Sequence, residues 1–246
     1  MSNPVMERVM GQGGGYGAGA VGMPMTVQGT VNKLFLMFAL LCTSFGVVFY
    51  QYMLGFMDKV NLMMMIGLIV GFVLAMVICF TRKAMNVLVP LYAFSEGMFL
   101  GGISAMFNVQ YPGIVAQAVI LTFLALFAML ALYKVGAIRA TEKFRATIFT
   151  ATLAIAIFYL VAFVLSFFHI SVPVLYAANG FGIGFSLIVC GIAALNLILD
   201  FDFVERGATY MMPKEYEWYG AFGLMVTLVW LYLEILRLLA KVNSRR

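Results

Sequence analysis

The chain has one histidine, three cysteines and two tryptophans, and only 10% of its 246 residues are charged. A lone His169 excludes an H-E-x-x-H metal site. Its place at the edge of an apolar run also keeps it from any serine at depth, which argues against a Ser–His protease. No G-x-x-x-x-G-K-[ST] loop is present, so nucleotide-driven pumping is excluded. Cys42, Cys79 and Cys190 show no metal-like spacing and read as small core residues. The shortage of charge says most. Soluble domains average about 25% charged residues. Here 64% of the residues are hydrophobic and the mean hydropathy is +1.04, too little polar surface to cover a water-soluble fold. Disorder is excluded beyond the N-terminus, because it needs low hydrophobicity and high charge. The chain reads as an integral membrane protein with no catalytic constellation and no cofactor motif, and not as an enzyme.

What is present is a series of long apolar runs. Seven of them approach the roughly 20 residues of a spanning helix. They lie near 34–53, 61–80, 85–107, 113–133, 147–168, 173–199 and 219–240. None alternates polar with apolar residues, so a β-barrel is excluded. The fold class is all-α, a polytopic bundle. Pro112, Pro173 and Pro213 fall at or before helix starts, where a missing N–H costs little, and Pro90 lies in the first turns of the third run. Gly67/Gly71, Gly97/Gly101 and Gly180/Gly184 have the spacing that lets helices approach closely. Residues 1–33 are glycine-rich and predict a flexible cytoplasmic tail, leaving 34–246 as the transmembrane domain. The loose G-x-G-x-x-A pattern from Gly15 follows no strand and carries no dinucleotide fingerprint.

Loop charges give an orientation. Arg8, Lys33, Arg82, Lys83, Lys134, Arg139, Lys143, Arg145, Arg206 and Lys214 share the side of the N-terminus, whereas the other side has Lys59. The bias places the N-terminus in the cytoplasm and removes any need to invoke nucleic acid for the net charge of +5. Arg237, Lys241, Arg245 and Arg246 would be better balanced by a re-entrant last segment, yet its 22 largely apolar residues are long enough to cross. Seven full spans are expected.

Carboxylates inside apolar helices are costly and by default mark an ion path, a proton relay or a buried pair. Glu96 lies in the third run, Asp200 and Asp202 close the sixth, and Glu234 lies in the seventh. Each also has a plain structural reading. Glu234 and Arg237 are three residues apart and could neutralise one another. Asp200, Asp202 and Glu205 could be a solvated helix end, and Glu96 a carboxyl hydrogen-bonded across helices.

The segments Glu96-Gly-Met-Phe-Leu-Gly-Gly-Ile-Ser, Leu-Asp200-Phe-Asp202-Phe-Val-Glu205, Glu217-Trp-Tyr-Gly-Ala-Phe-Gly and Leu231-Tyr-Leu-Glu234 followed by Leu-Arg237-Leu-Leu resemble the Bax inhibitor-1 (TMBIM, YccA-like) membrane proteins, in their bacterial branch. The resemblance extends over residues 30 to 240 in architecture, with its specific motifs mostly in the last 50 residues. It implies seven helices with the last one central, and a pH-sensitive calcium leak gated by aspartates on spans six and seven. Carried over, the span-seven aspartate falls on Glu234, a conservative departure, and the span-six aspartate on Asp200 or Asp202. The basic residue that engages the pair falls near Arg82. Some members are said to restrain a membrane-anchored ATP-dependent protease, which makes a non-conducting regulator the alternative reading.

Helix rise adds a second expectation. Counted from residues 85 and 219, Glu96 and Glu234 lie about 16 and 22 Å deep, so they are candidates to face each other and share a proton. The combined reading is a passive leak for calcium or protons in a plasma membrane. Asp200, Asp202, Glu234 and Glu96 would bind or gate, Arg82 and Arg237 would be their basic partners, and Asp200, Asp202 and Glu234 would hold calcium transiently.

Overall fold

A computed structural model describes residues 23–81, 84–168, 172 and 179–245. It contains seven helices: α1 Val27–Met53, α2 Met57–Phe80, α3 Met85–Gln110, α4 Ile114–Lys134, α5 Glu142–Phe167, α6 Gly180–Thr209 and α7 Tyr216–Asn243. All seven are long and apolar enough to cross a membrane. There is no strand among the described residues, only an isolated bridge between Pro24 and Pro213. The outward faces carry large apolar side chains such as Phe35, Phe72, Phe127, Phe149 and Phe163, as a lipid-facing surface requires.

The expected runs agree with the helices in their apolar middles and differ at their ends. The largest shift is at the end of α6, expected at 199 and found at Thr209, so Asp200 and Asp202 lie within the helix and do not close it. Helix α1 begins at Val27 and takes in seven residues assigned to the tail. Thr26 explains it, because its side chain accepts from the Gly29 N–H and caps the first turn. The rest of the expected tail, residues 1–22, lies outside the described residues, as do Arg82, His169 and Pro173. Thr141 and Asn179 cap α5 and α6 in the same way. At α4 the chain turns through Gly113, whose φ of +84° is one that side chains disfavour.

The last helix is the axis of the bundle. It is the most buried of the seven and packs against α1, α3, α4 and α6. Its 28 residues span about 42 Å, more than the roughly 30 Å of bilayer hydrocarbon. Near its end the Lys241 amine donates to the Gly182 carbonyl and to Ser186, at the start of α6. The last segment therefore crosses fully, and Met23 and Arg245 lie on opposite faces.

Small residues set the closest helix contacts. A Cβ on Gly97 would come within 2.0 Å of Ser44 Oγ and 2.3 Å of the Leu41 carbonyl, and one on Gly67 within 2.6 Å of the α3 backbone. Those pairs join α1 to α3 and α2 to α3. Gly180 and Gly184 differ, with nothing within 4 Å, so their spacing marks no contact. The cysteine expectation also needs correction. Only Cys190 is buried, while Cys42 and Cys79 are exposed on the bundle's surface.

Candidate functional site

Helix periodicity separates the carboxylates of α6. Two residues turn a helix by about 200°, so Asp200 and Asp202 look in nearly opposite directions. Asp200 looks at α7. A Cβ on Gly223 would lie 3.5 Å from Asp200 Oδ1, and the Thr227 hydroxyl faces the same carboxylate. Its other oxygen, Oδ2, is buried and has no hydrogen-bond partner among the described residues. Asp202 looks outward and is ion-paired to Arg145 of α5, with Arg206 Nε at 3.1 Å on its own helix. The base that meets the acidic end of α6 is thus Arg145, supplied by the start of α5. Glu205 beside it accepts a hydrogen bond from the Tyr133 hydroxyl of α4.

Glu234 is 1% exposed and surrounded by donors. The Tyr159 hydroxyl of α5 donates to Oε1 at 2.8 Å, Trp230 Nε1 at 3.3 Å, and Arg237 reaches both oxygens at 3.1 and 3.2 Å. Arg237 also donates to the Tyr159 oxygen at 2.8 Å and lies over that ring, its guanidinium carbon 5.1 Å from the centroid. The local pair suggested by the i,i+3 spacing is present, and a tyrosine from another helix completes it. Such a carboxylate is fully solvated by protein and offers no bare oxygen to a cation.

Glu96 belongs to a different interface. It accepts from the Tyr92 hydroxyl at 2.8 Å and lies against Gly71 of α2. The structure does not bring it to Glu234. Helices α3 and α7 run side by side in the same direction, linked by the Tyr92–Phe222 ring contact at 4.9 Å and by the Ser104 and Tyr232 hydroxyls at 2.6 Å. Glu234 is therefore level with about residue 106 of α3, some ten residues or about 15 Å beyond Glu96. The counted starts already left Glu234 about 6 Å deeper than Glu96; α7 starting at Tyr216, three residues earlier, adds about 4.5 Å, and the offset of the two helices adds the rest.

Nor do Asp200, Asp202 and Glu234 converge. Glu234 is seven residues, about 10 Å, past Thr227 on α7, and Asp202 faces away. The α7 position level with Asp200 is held by Thr227. No cluster of three His, Cys, Asp or Glu side chains occurs among the described residues. The expected base Arg82 lies outside them.

A fifth carboxylate was missed. Glu217, 1% exposed at the start of α7, accepts from the Thr26 N–H and the Thr26 hydroxyl, both at 3.0 Å, and is ion-paired to Lys33 of α1. Lys33 in turn sits 5.2 Å from the Trp218 ring centroid. The aromatic run Tyr216–Tyr219 reads in sequence as an interfacial belt, which hides a buried acid among lipid anchors. The available signal was Gly29. A Cβ there would come within 2.2 Å of Glu217 Oε1, so a larger residue would have to displace the carboxylate.

The family model described as Bax inhibitor 1 like matches residues 3–244, nearly the whole chain. The chain belongs to that family. No curated protein and no solved structure matches it.

Proposed function

We propose that this family member is a passive, pH-responsive leak for calcium or protons, with Asp200 as its gating carboxylate. The reading places it in a plasma membrane with the N-terminus cytoplasmic, and it assigns no catalysis. The observation that supports it most is the unpartnered, buried Oδ2 of Asp200 against the axial helix. Asp200 has the Thr227 hydroxyl beside one oxygen and nothing at the other, whereas Asp202 has two arginines, Glu234 four hydrogen bonds and Glu96 a tyrosine. A buried carboxylate oxygen without a donor is balanced by a proton or by a passing cation. Protonation removes the charge that α7 must tolerate at Gly223 and Thr227, and cation passage replaces it. One carboxylate cannot cage calcium, which takes six to eight oxygens, so the ion would keep water and use Asp200 in transit.

The test is calcium flux into liposomes containing the purified protein, measured over a pH series. The expected result is a flux above that of protein-free vesicles, with a pH dependence that Asp200→Asn abolishes. An Asp200→Asn protein that keeps the original pH profile would sink the assignment, and so would a wild-type protein that conducts nothing.

A further inference from the structure

Between α1 and α4, on the face where the described chain begins, a lateral groove encloses about 960 Å³. That is the upper end of ligand-sized cavities, which run to about 1,000 Å³. Its sides are apolar, with Leu34 and Phe35 on α1 and Leu126 and Leu130 on α4, and Leu224 of the axial helix also lines it. Toward the midplane, Phe38 and Phe123 meet with centroids 6.0 Å apart. Water gains nothing in such a slot. Hydrocarbon fills it at no cost.

The mouth is polar and carries an excess of positive charge. Lys134, Arg139 and Arg206 line it against Asp202 and Glu205. Arg206 is engaged by Asp202, and Glu205 takes the Tyr133 hydroxyl. Lys134 and Arg139 have no carboxylate partner among the described residues. Both line the groove where α4 gives way to the connection to α5. That connection turns through Gly136 at φ +74°, and the Arg139 guanidinium rests 3.6 Å from where a Cβ on that glycine would be. Two unpaired bases at the bilayer edge of an apolar slot suit a phosphate ester with a hydrocarbon tail. Lys134 would offer a point charge and Arg139 a planar fork to the phosphate oxygens.

We propose that this groove binds one anionic glycerophospholipid from the adjoining leaflet, an acyl chain along α1 and α4 and the phosphate at Lys134 and Arg139. Basic pockets between spanning helices are known headgroup sites in general, and each base near the surface favours anionic over zwitterionic lipid by about fivefold. The pair should therefore prefer the anionic lipid by about 25-fold.

The experiment uses the full chain in mixed micelles of phosphatidylglycerol and phosphatidylcholine, with retained lipid counted by native mass spectrometry. Wild type should keep one phosphatidylglycerol in strong preference. The double variant Lys134→Gln/Arg139→Gln should retain the two lipids alike. Lys143→Gln, on the same face but outside the groove, should leave the preference intact, and Val31→Trp, which fills the groove, should lower retention of both lipids. Equal retention by wild type would overturn the site. So would a preference that survives in the double variant, or one lost equally in Lys143→Gln, the mark of diffuse surface charge. Full retention in Val31→Trp would show that the chain lies elsewhere.

Discussion

At the scale of single residues, two acids in the same bundle have opposite surroundings. Glu234 accepts four hydrogen bonds, whereas Asp200 has an oxygen with none. Arg237→Met should therefore be the more damaging half of the Glu234–Arg237 pair, since it leaves a buried carboxylate short of its counter-charge. A loss of about 3 kcal/mol is expected, against about 1 kcal/mol for Glu234→Gln, which keeps most of the hydrogen-bond geometry. Tyr159→Phe removes one bond to each partner and should cost about 2 kcal/mol. Unfolding in detergent, followed by tryptophan fluorescence, ranks the three; Glu234→Gln proving the worst would contradict this account. Only part of the cluster was legible in the chain. The i,i+3 spacing revealed Glu234 and Arg237 to each other, because a helix fixes that distance locally. Tyr159 is 75 positions away and Thr227 faces Asp200 across an interface, so nothing in the linear spacing couples them.

At the scale of helices, apolar length gave the middles and close approach gave the contacts. What length could not give was the first two turns of α1, where Gln28, Asn32 and Lys33 make a helix look like a tail. Glycine spacing behaved similarly: it marks where a helix can be approached, and only a partner decides whether it is. Gly97→Ala should separate α1 from α3 and cost roughly 1–3 kcal/mol, because the new methyl meets backbone and a buried serine. Gly184→Ala meets open space and should be neutral or stabilise by up to about 1 kcal/mol. Thermal shifts of the two purified variants check this directly, and similar losses in both would refute it.

For the whole molecule, the composition carried the class, the apolar runs the number of spans, and the resemblance the central position of the last helix. Relative helix offsets were not legible. They depend on which side chains interlock, as at Tyr92–Phe222 and Ser104–Tyr232, and counting depth from helix starts alone could not supply the offset that separates Glu96 from Glu234. Seven full crossings put the two ends on opposite faces. With the N-terminus cytoplasmic, as proposed from the loop charges, a reporter active only in the cytoplasm should be silent when fused after Arg246 and active when fused before Met1. Activity at both ends would return the last segment to a hairpin.

The contact of Glu217 with Thr26 and Lys33 joins the beginning of the first helix to the beginning of the last, 191 and 184 positions apart. During synthesis this means that six helices reach the bilayer before the one that four of them pack around. Until α7 is made, Gly29 faces no carboxylate, Lys33 has no counter-ion from it, and the surfaces of α1, α3, α4 and α6 that will meet the axis are exposed to lipid. Assembly of the bundle then waits for α7, and the contact of Glu217 with Thr26 and Lys33 is a late one. A chain stopped at residue 215 should insert yet remain open to protease, and a separately expressed peptide covering 216–246 should restore resistance in the same membrane. The order of synthesis would thus make the docking of α7 the step at which quality control can tell a finished bundle from an unfinished one.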